Sequence, residues 1–128
     1  MLECLILGDS IAVGVGQNLP QCETIAKVGR SSSQVLASVK EVSKDIVVVS
    51  VGSNDPRNPE LLRNVRALRA KINAKYVVWL LPYDRSASGA VHQVASSNRD
   101  YLIDLHNFPT NDGVHPANYK AVAKEIAK

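Results

Sequence analysis

The chain has 128 residues, 45% hydrophobic and 21% charged, which is the composition of one globular domain and excludes disorder, collagen and coiled coil. A net charge of +3 leans only weakly toward anionic partners, and with aromatics at 5% there is little to stack bases on, so no nucleic-acid partner is expected. Apolar runs such as Ile46–Val49 fall far short of the roughly 20 residues of a membrane span, so none is expected.

The N-terminal stretch Met1–Asp9 has no basic segment ahead of its apolar run. It reads as a strand entering a fold and not as a signal peptide, which makes the cytoplasm the default expectation. Cys4–Leu7 is the first strand. Thr24–Val28 is a second and more polar one. Val35, Val39 and Val42 recur at helical spacing, with Leu36 beside them. Asp45–Val51 is continuous and β-branched enough to be a strand buried on both faces. Leu61, Val65, Leu68 and Ile72 form a narrow helical stripe, and Arg63, Arg66 and Arg69 fall away from it as a solvated basic face. Tyr76–Leu81 is a fourth strand and Tyr101–Leu105 a short fifth, with a short helix over His92–Arg99 between them. Ala117–Ala127 closes the chain as a helix, with Pro116 near its first turn. Cys4 and Cys22 lie in apolar stretches outside any CxxC motif. They read as buried reduced thiols, and nothing in the sequence requires a disulfide between them.

Alternating strands and helices of these lengths, across residues 1–128 as one domain, argue for an α/β fold whose parallel sheet is covered by helices on both faces. Ligands bind such sheets outside the carboxyl ends of the strands. Four clusters fall there: Gly8-Asp9-Ser10, Gly29-Arg30-Ser31-Ser32, Gly52-Ser53-Asn54-Asp55 and Asp112-Gly113-Val114-His115-Pro116. Their chemistry is complementary. A serine hydroxyl is a poor nucleophile until a base takes its proton. An imidazole such as that of His115 is the right type of base, and a carboxylate three residues earlier, Asp112, can orient it. Backbone N–H groups of Ser10 and Gly29 and the Asn54 amide are candidate donors to a developing oxyanion. Each cluster alone is an ordinary turn signal. Their conjunction at successive strand ends is what carries the reading.

These blocks resemble the SGNH hydrolase family, the GDSL-type esterases and lipases. Gly8-Asp9-Ser10-Ile11 is similar to the first block, Gly29 to the second-block glycine, Asn54 to the asparagine of Gly-x-Asn-Asp, and Asp112 with His115 to the final Asp-x-x-His. The resemblance implies a three-layer α/β/α sandwich on a five-stranded, flavodoxin-like sheet. It further implies ester hydrolysis through an acyl-serine, with Ser10, His115 and Asp112 as triad and Ser10, Gly29 and Asn54 as oxyanion hole. No cofactor or metal is implied. Ser32 stands where a second glycine is frequent, and only about thirty residues separate Leu81 from Asp112, leaving little room for lid loops. No Gly-x-Ser-x-Gly elbow is present, which argues against the ordinary α/β-hydrolase fold.

Arg30, Asp55, Arg57, Tyr83 and Val114 adjoin the strand ends and are candidates for a pocket rim. Asp9 reads as fixing the turn before Ser10, and Trp79 as packing. Asp104 is a rival orienting acid, disfavoured by its place on a strand. His92 and His106 lack zinc-ligand spacing. A small chain with short loops suggests an open site and hence short acyl groups, such as acetyl esters on carbohydrate. A thioesterase or lysophospholipase using the same residues is the enzymatic alternative, and a noncatalytic ligand-binding module the non-enzymatic one. A flavodoxin-like nucleotide binder lacks its phosphate-cradling loop.

Overall fold

The computed structural model describes residues 2–127; Met1, the first residue of the N-terminal stretch read above as a strand, lies outside them. Five strands, β1 (Cys4–Gly8), β2 (Glu23–Ala26), β3 (Val42–Ser50), β4 (Ile72–Leu81) and β5 (Tyr101–Asp104), form one parallel sheet in the order β2-β1-β3-β4-β5. Five helices connect and close it: α1 (Ser10–Gln17), α2 (Ser32–Ala37), α3 (Leu61–Ala70), α4 (Arg85–Ser97) and α5 (Tyr119–Ile126).

Successive strand residues point to opposite faces, so the continuous apolar runs feed two cores. Leu5, Leu7, Val47, Val49 and Trp79 face one side and pack with Val35 of α2, Val65 and Leu68 of α3 and Val91 of α4. Ile6, Val48 and Leu80 face the other side and pack with Ile11 and Val15 of α1 and Val122 of α5. The result is a three-layer α/β/α sandwich, as expected. Its strand order reverses between β1 and β3, which opens a crevice at their carboxyl ends.

Several boundaries differ from the sequence reading. Val42 and Ile72, read as members of helical stripes, are the first residues of β3 and β4 and pair with each other in register. Backbone pairing is indifferent to side chains, so it extends the ladder through Ser43, Lys44, Asn73 and Ala74, which carry no strand signal. The helix α4 starts at Arg85, well before His92, because the Asp84 carboxylate accepts the Ser86 N–H at 2.8 Å and caps it. The last helix starts at Tyr119 instead of Ala117, where the Asn118 side chain accepts the Ala121 N–H.

Two further corrections concern the amino end of the sheet. Cys4 and Cys22 form a disulfide, not a pair of free thiols. It ties the start of β1 to the segment before β2, and closing a loop with a sequence separation of 18 stabilises by about 3 kcal/mol on chain-entropy grounds. Arg63 and Arg66 are exposed as expected, but Arg69 is not part of a solvated face. Its guanidinium donates to both oxygens of Asp100, at 2.7 and 3.1 Å, and to the Ile72 carbonyl at 3.0 Å. The Trp79 indole N–H donates to the same carboxylate at 2.8 Å, so this fully buried ring is packed and also anchored.

Candidate active site

Ser10 is the first residue of α1, placed by the two residues before it. Gly8 has φ +148°, and a Cβ there would run into the Ser50 carbonyl at the end of β3, so only glycine lets β1 and β3 stay together at this point. The Asp9 carboxylate accepts from the Ile11 N–H at 3.1 Å, capping α1, and from the Ser50 hydroxyl at 2.9 Å. Asp9 therefore does fix the turn, and it also fastens the turn to β3. It is fully buried, and burial pushes its pKa up to about 6 against the downward pull of the Ser50 hydroxyl and the backbone N–H groups.

The raised value sets a pH dependence. The folded pKa lies above the ordinary 3.8, so the native chain keeps this proton where the unfolded chain loses it. The Asp9 contribution to stability is therefore largest below about pH 4 and is lost as the pH rises through about 6. Asp9→Asn keeps an acceptor for Ile11 and Ser50 but does not titrate. The stability of wild type relative to Asp9→Asn, from urea midpoints, is expected to fall between about pH 4 and about pH 6. A difference that does not change with pH contradicts this.

The Ser10 hydroxyl lies 2.9 Å from His115 Nε2, and His115 Nδ1 lies 2.7 Å from Asp112 Oδ2. The loop that holds both partners builds itself. Asp112 Oδ1 accepts the backbone N–H of Val114 at 2.9 Å and of His115 at 2.7 Å, and the Thr110 hydroxyl donates to the His115 carbonyl at 2.6 Å. The His115 N–H, its ring and the Val114 N–H together hold the Asp112 carboxyl well below the usual carboxylate range. Thr110 was not singled out from sequence, because its contact runs across a turn that no local pattern announces. The side chains of His115 and Asp112 are 40% and 56% exposed, so this end of the arrangement opens to solvent.

The loops carrying Gly29 and Asn54 are stitched to the Ser10 turn and to each other. The Lys27 N–H donates to the Gly8 carbonyl at 3.2 Å, and the Asn54 amide donates to the Arg30 carbonyl at 2.9 Å. Gly29 has φ +84°, with open space where a Cβ would stand. The rim candidates divide. Arg57 and Val114 are exposed. Asp55 is engaged inward instead: one oxygen accepts the Ser32 N–H at 3.0 Å and the other the Ser32 hydroxyl at 2.6 Å, which fixes α2 against the end of β3. The Tyr83 hydroxyl is likewise committed, donating to the Phe108 carbonyl at 3.0 Å. Burial and the Asp112 charge push its pKa up. Asp104 is held by Arg85 through two contacts of 3.1 Å, and His92 and His106 are exposed. The Tyr119 ring, where α5 begins, packs over Gly14 of α1. Its phenol is pushed up to about 12 by burial and by the charges of Asp9 and Asp112.

No family model and no curated protein matches the chain. Solved structures do. A carbohydrate acetylesterase from Sinorhizobium meliloti aligns with a TM-score of 0.67 at 15% identity, over 99% of this chain and 99% of its own. The C-terminal catalytic domain of peptidoglycan O-acetyltransferase A from Streptococcus pneumoniae, determined with a methylsulfonyl adduct, aligns at 0.63 and 16% identity, over 98% of this chain and 90% of that one. A GDSL-like lipase from Bacteroides thetaiotaomicron aligns at 0.63 and 17%, over 97% and 84%. The chain thus has the fold of the SGNH, or GDSL-type, hydrolases.

Proposed function

We propose that the protein is a cofactor-independent serine ester hydrolase. The observation that carries this reading is the continuous hydrogen-bonded path from the Ser10 hydroxyl through His115 to Asp112, open to solvent at the carboxyl edge of the sheet. In this mechanism His115 Nε2 takes the proton of Ser10 as Oγ attacks the acyl carbonyl. Asp112 holds Nδ1 and stabilises the imidazolium. The oxyanion is received by the Ser10 N–H, a first-turn group with no intrahelical acceptor, by the Gly29 N–H, and by the second amide hydrogen of Asn54, whose first is bound to Arg30. His115 then protonates the leaving alcohol, and a water activated by the same imidazole releases the acid.

Openness around His115 favours a small acyl group on a bulky scaffold, such as an acetyl ester of a carbohydrate. The acetyl chemistry named for two structural neighbours points the same way. The disulfide fits an oxidising compartment better than the cytoplasm. Hydrolysis of p-nitrophenyl esters from acetyl to octanoyl tests the acyl preference. Acetyl is expected to be fastest, with kcat/KM falling by about tenfold or more at octanoyl. A rate that rises with chain length replaces the acetyl reading with a lysophospholipase or long-chain thioesterase.

A further inference from the structure

Buried polar atoms are nearly always paired, so those that are not need an explanation. Among the described residues three side-chain atoms are buried without a protein partner: Asp9 Oδ2, Arg30 Nη1 and Ser53 Oγ. All three belong to the loops at the carboxyl ends of β1, β2 and β3. Asp9 Oδ2 is the free oxygen of the carboxyl whose Oδ1 caps α1 and accepts from Ser50. The other two are donors, and they sit on the two loops that the Asn54–Arg30 bond joins.

The same loops carry unpaired positive charge. No carboxylate among the described residues lies within ion-pair distance of Lys27 or Arg30. The acid nearest in sequence, Glu23, pairs with Lys44 at 3.2 Å, and Asp55 on the neighbouring loop is spent on Ser32 and Asn58. Lys27, Gly29, Arg30 and Gln34 line a surface cavity of about 290 Å³, and nothing stands above Gly29 to block approach. A planar guanidinium with a free donor prefers an oxyanion that can accept two parallel bonds, and a buried donor gains most from a charged acceptor.

We infer that the Arg30 guanidinium, supported by Lys27, binds an anionic group, a carboxylate or a phosphate, carried by the substrate beside its ester. This rests on the esterase reading above and narrows its substrate class to esters of acidic scaffolds. Asp9 is the one carboxylate on the adjoining turn, and its engagement with Ser50 and Ile11 keeps it on the β3 side.

The test compares 4-acetoxybenzoate with neutral 4-acetoxybenzamide. Wild type is expected to prefer the anion by about tenfold or more in kcat/KM, the ratio to fall toward one in Arg30→Gln, and Arg30→Lys to retain part of it. The ratio is the readout because a merely structural role of Arg30 lowers both rates together and leaves it unchanged, which would overturn the inference. A wild-type ratio of one also overturns it. Titration with inorganic phosphate or benzoate, followed by backbone amide shifts, gives an answer without turnover. Shifts centred on residues 27–34 in wild type and absent in Arg30→Gln support the site, and the stronger probe says which anion it takes. Such shifts with neither ester hydrolysed would keep the anion site and discard the esterase. Ser10-dependent turnover without charge preference and without shifts would discard the anion site alone.

Discussion

Ser10→Ala is expected to lower kcat for p-nitrophenyl acetate by roughly 10³-fold or more and to abolish labelling by a fluorophosphonate. The hydroxyl is the nucleophile in the proposed mechanism, and its hydrogen bond in the structure is to His115. Removing it leaves the cap of α1 intact, because that cap is made by Asp9. Thermal stability should therefore change little while turnover disappears. His115→Ala should cost a similar factor, and the double variant little more than either single one, since nucleophile and base act as a unit. Retained turnover in Ser10→Ala, or two losses that multiply, would contradict the acyl-serine mechanism, and a wild type with neither turnover nor labelling would leave the fold standing as a ligand-binding module.

The largest effect on stability is expected at the other end of the sheet. The Asp100 side chain is 5% exposed and Arg69 is 19% exposed, and the carboxylate accepts from Arg69 and from the indole of Trp79. Asp100→Ala leaves a largely buried guanidinium without its counter-charge, holding only the Ile72 carbonyl, and a buried indole N–H without an acceptor. Breaking one side of such a pair costs about 3–5 kcal/mol, measurable as a fall in the urea midpoint. Asp100→Asn keeps one acceptor and should fall between wild type and alanine. The kcat/KM of whatever folded protein remains should be unaltered, because Asp100 precedes β5 at its amino end and the Ser10 loops lie at the carboxyl ends. A loss below about 1 kcal/mol would mean that the cluster is packed but not energetically coupled.

The sequence shows strand interiors far better than strand ends. Ile46–Val51 is unmistakable because both faces of β3 are buried, and the apolar run has no period to misread. Val42 and Ile72 were misassigned because an apolar residue at the foot of a strand matches the end of a preceding helical stripe equally well. Their mutual pairing decides between the two, and it joins residues 30 positions apart. Arg69 was misread for the same reason, since its partner Asp100 sits 31 residues away. The cysteines defied sequence reading because a pairing is a fact of three dimensions. The proximity of Ser10, His115 and Asp112 is foreshadowed because their compact blocks follow predicted strands, and the fold gathers strand ends at one edge of the sheet. Asp55 and Tyr83 also stand at strand ends, but they turn inward to Ser32 and Phe108, a direction that no local pattern encodes.

The covalent link between Cys4 and Cys22 and the Arg69–Asp100 pair both lie where strands begin. The framework is thus riveted at its base, on the opposite side from the Ser10 loops. Substitutions in the upper loops therefore meet a sheet whose far end is independently fastened. Changes at exposed loop positions such as Val28 should cost folding little, whereas changes at Asp100 should cost it much.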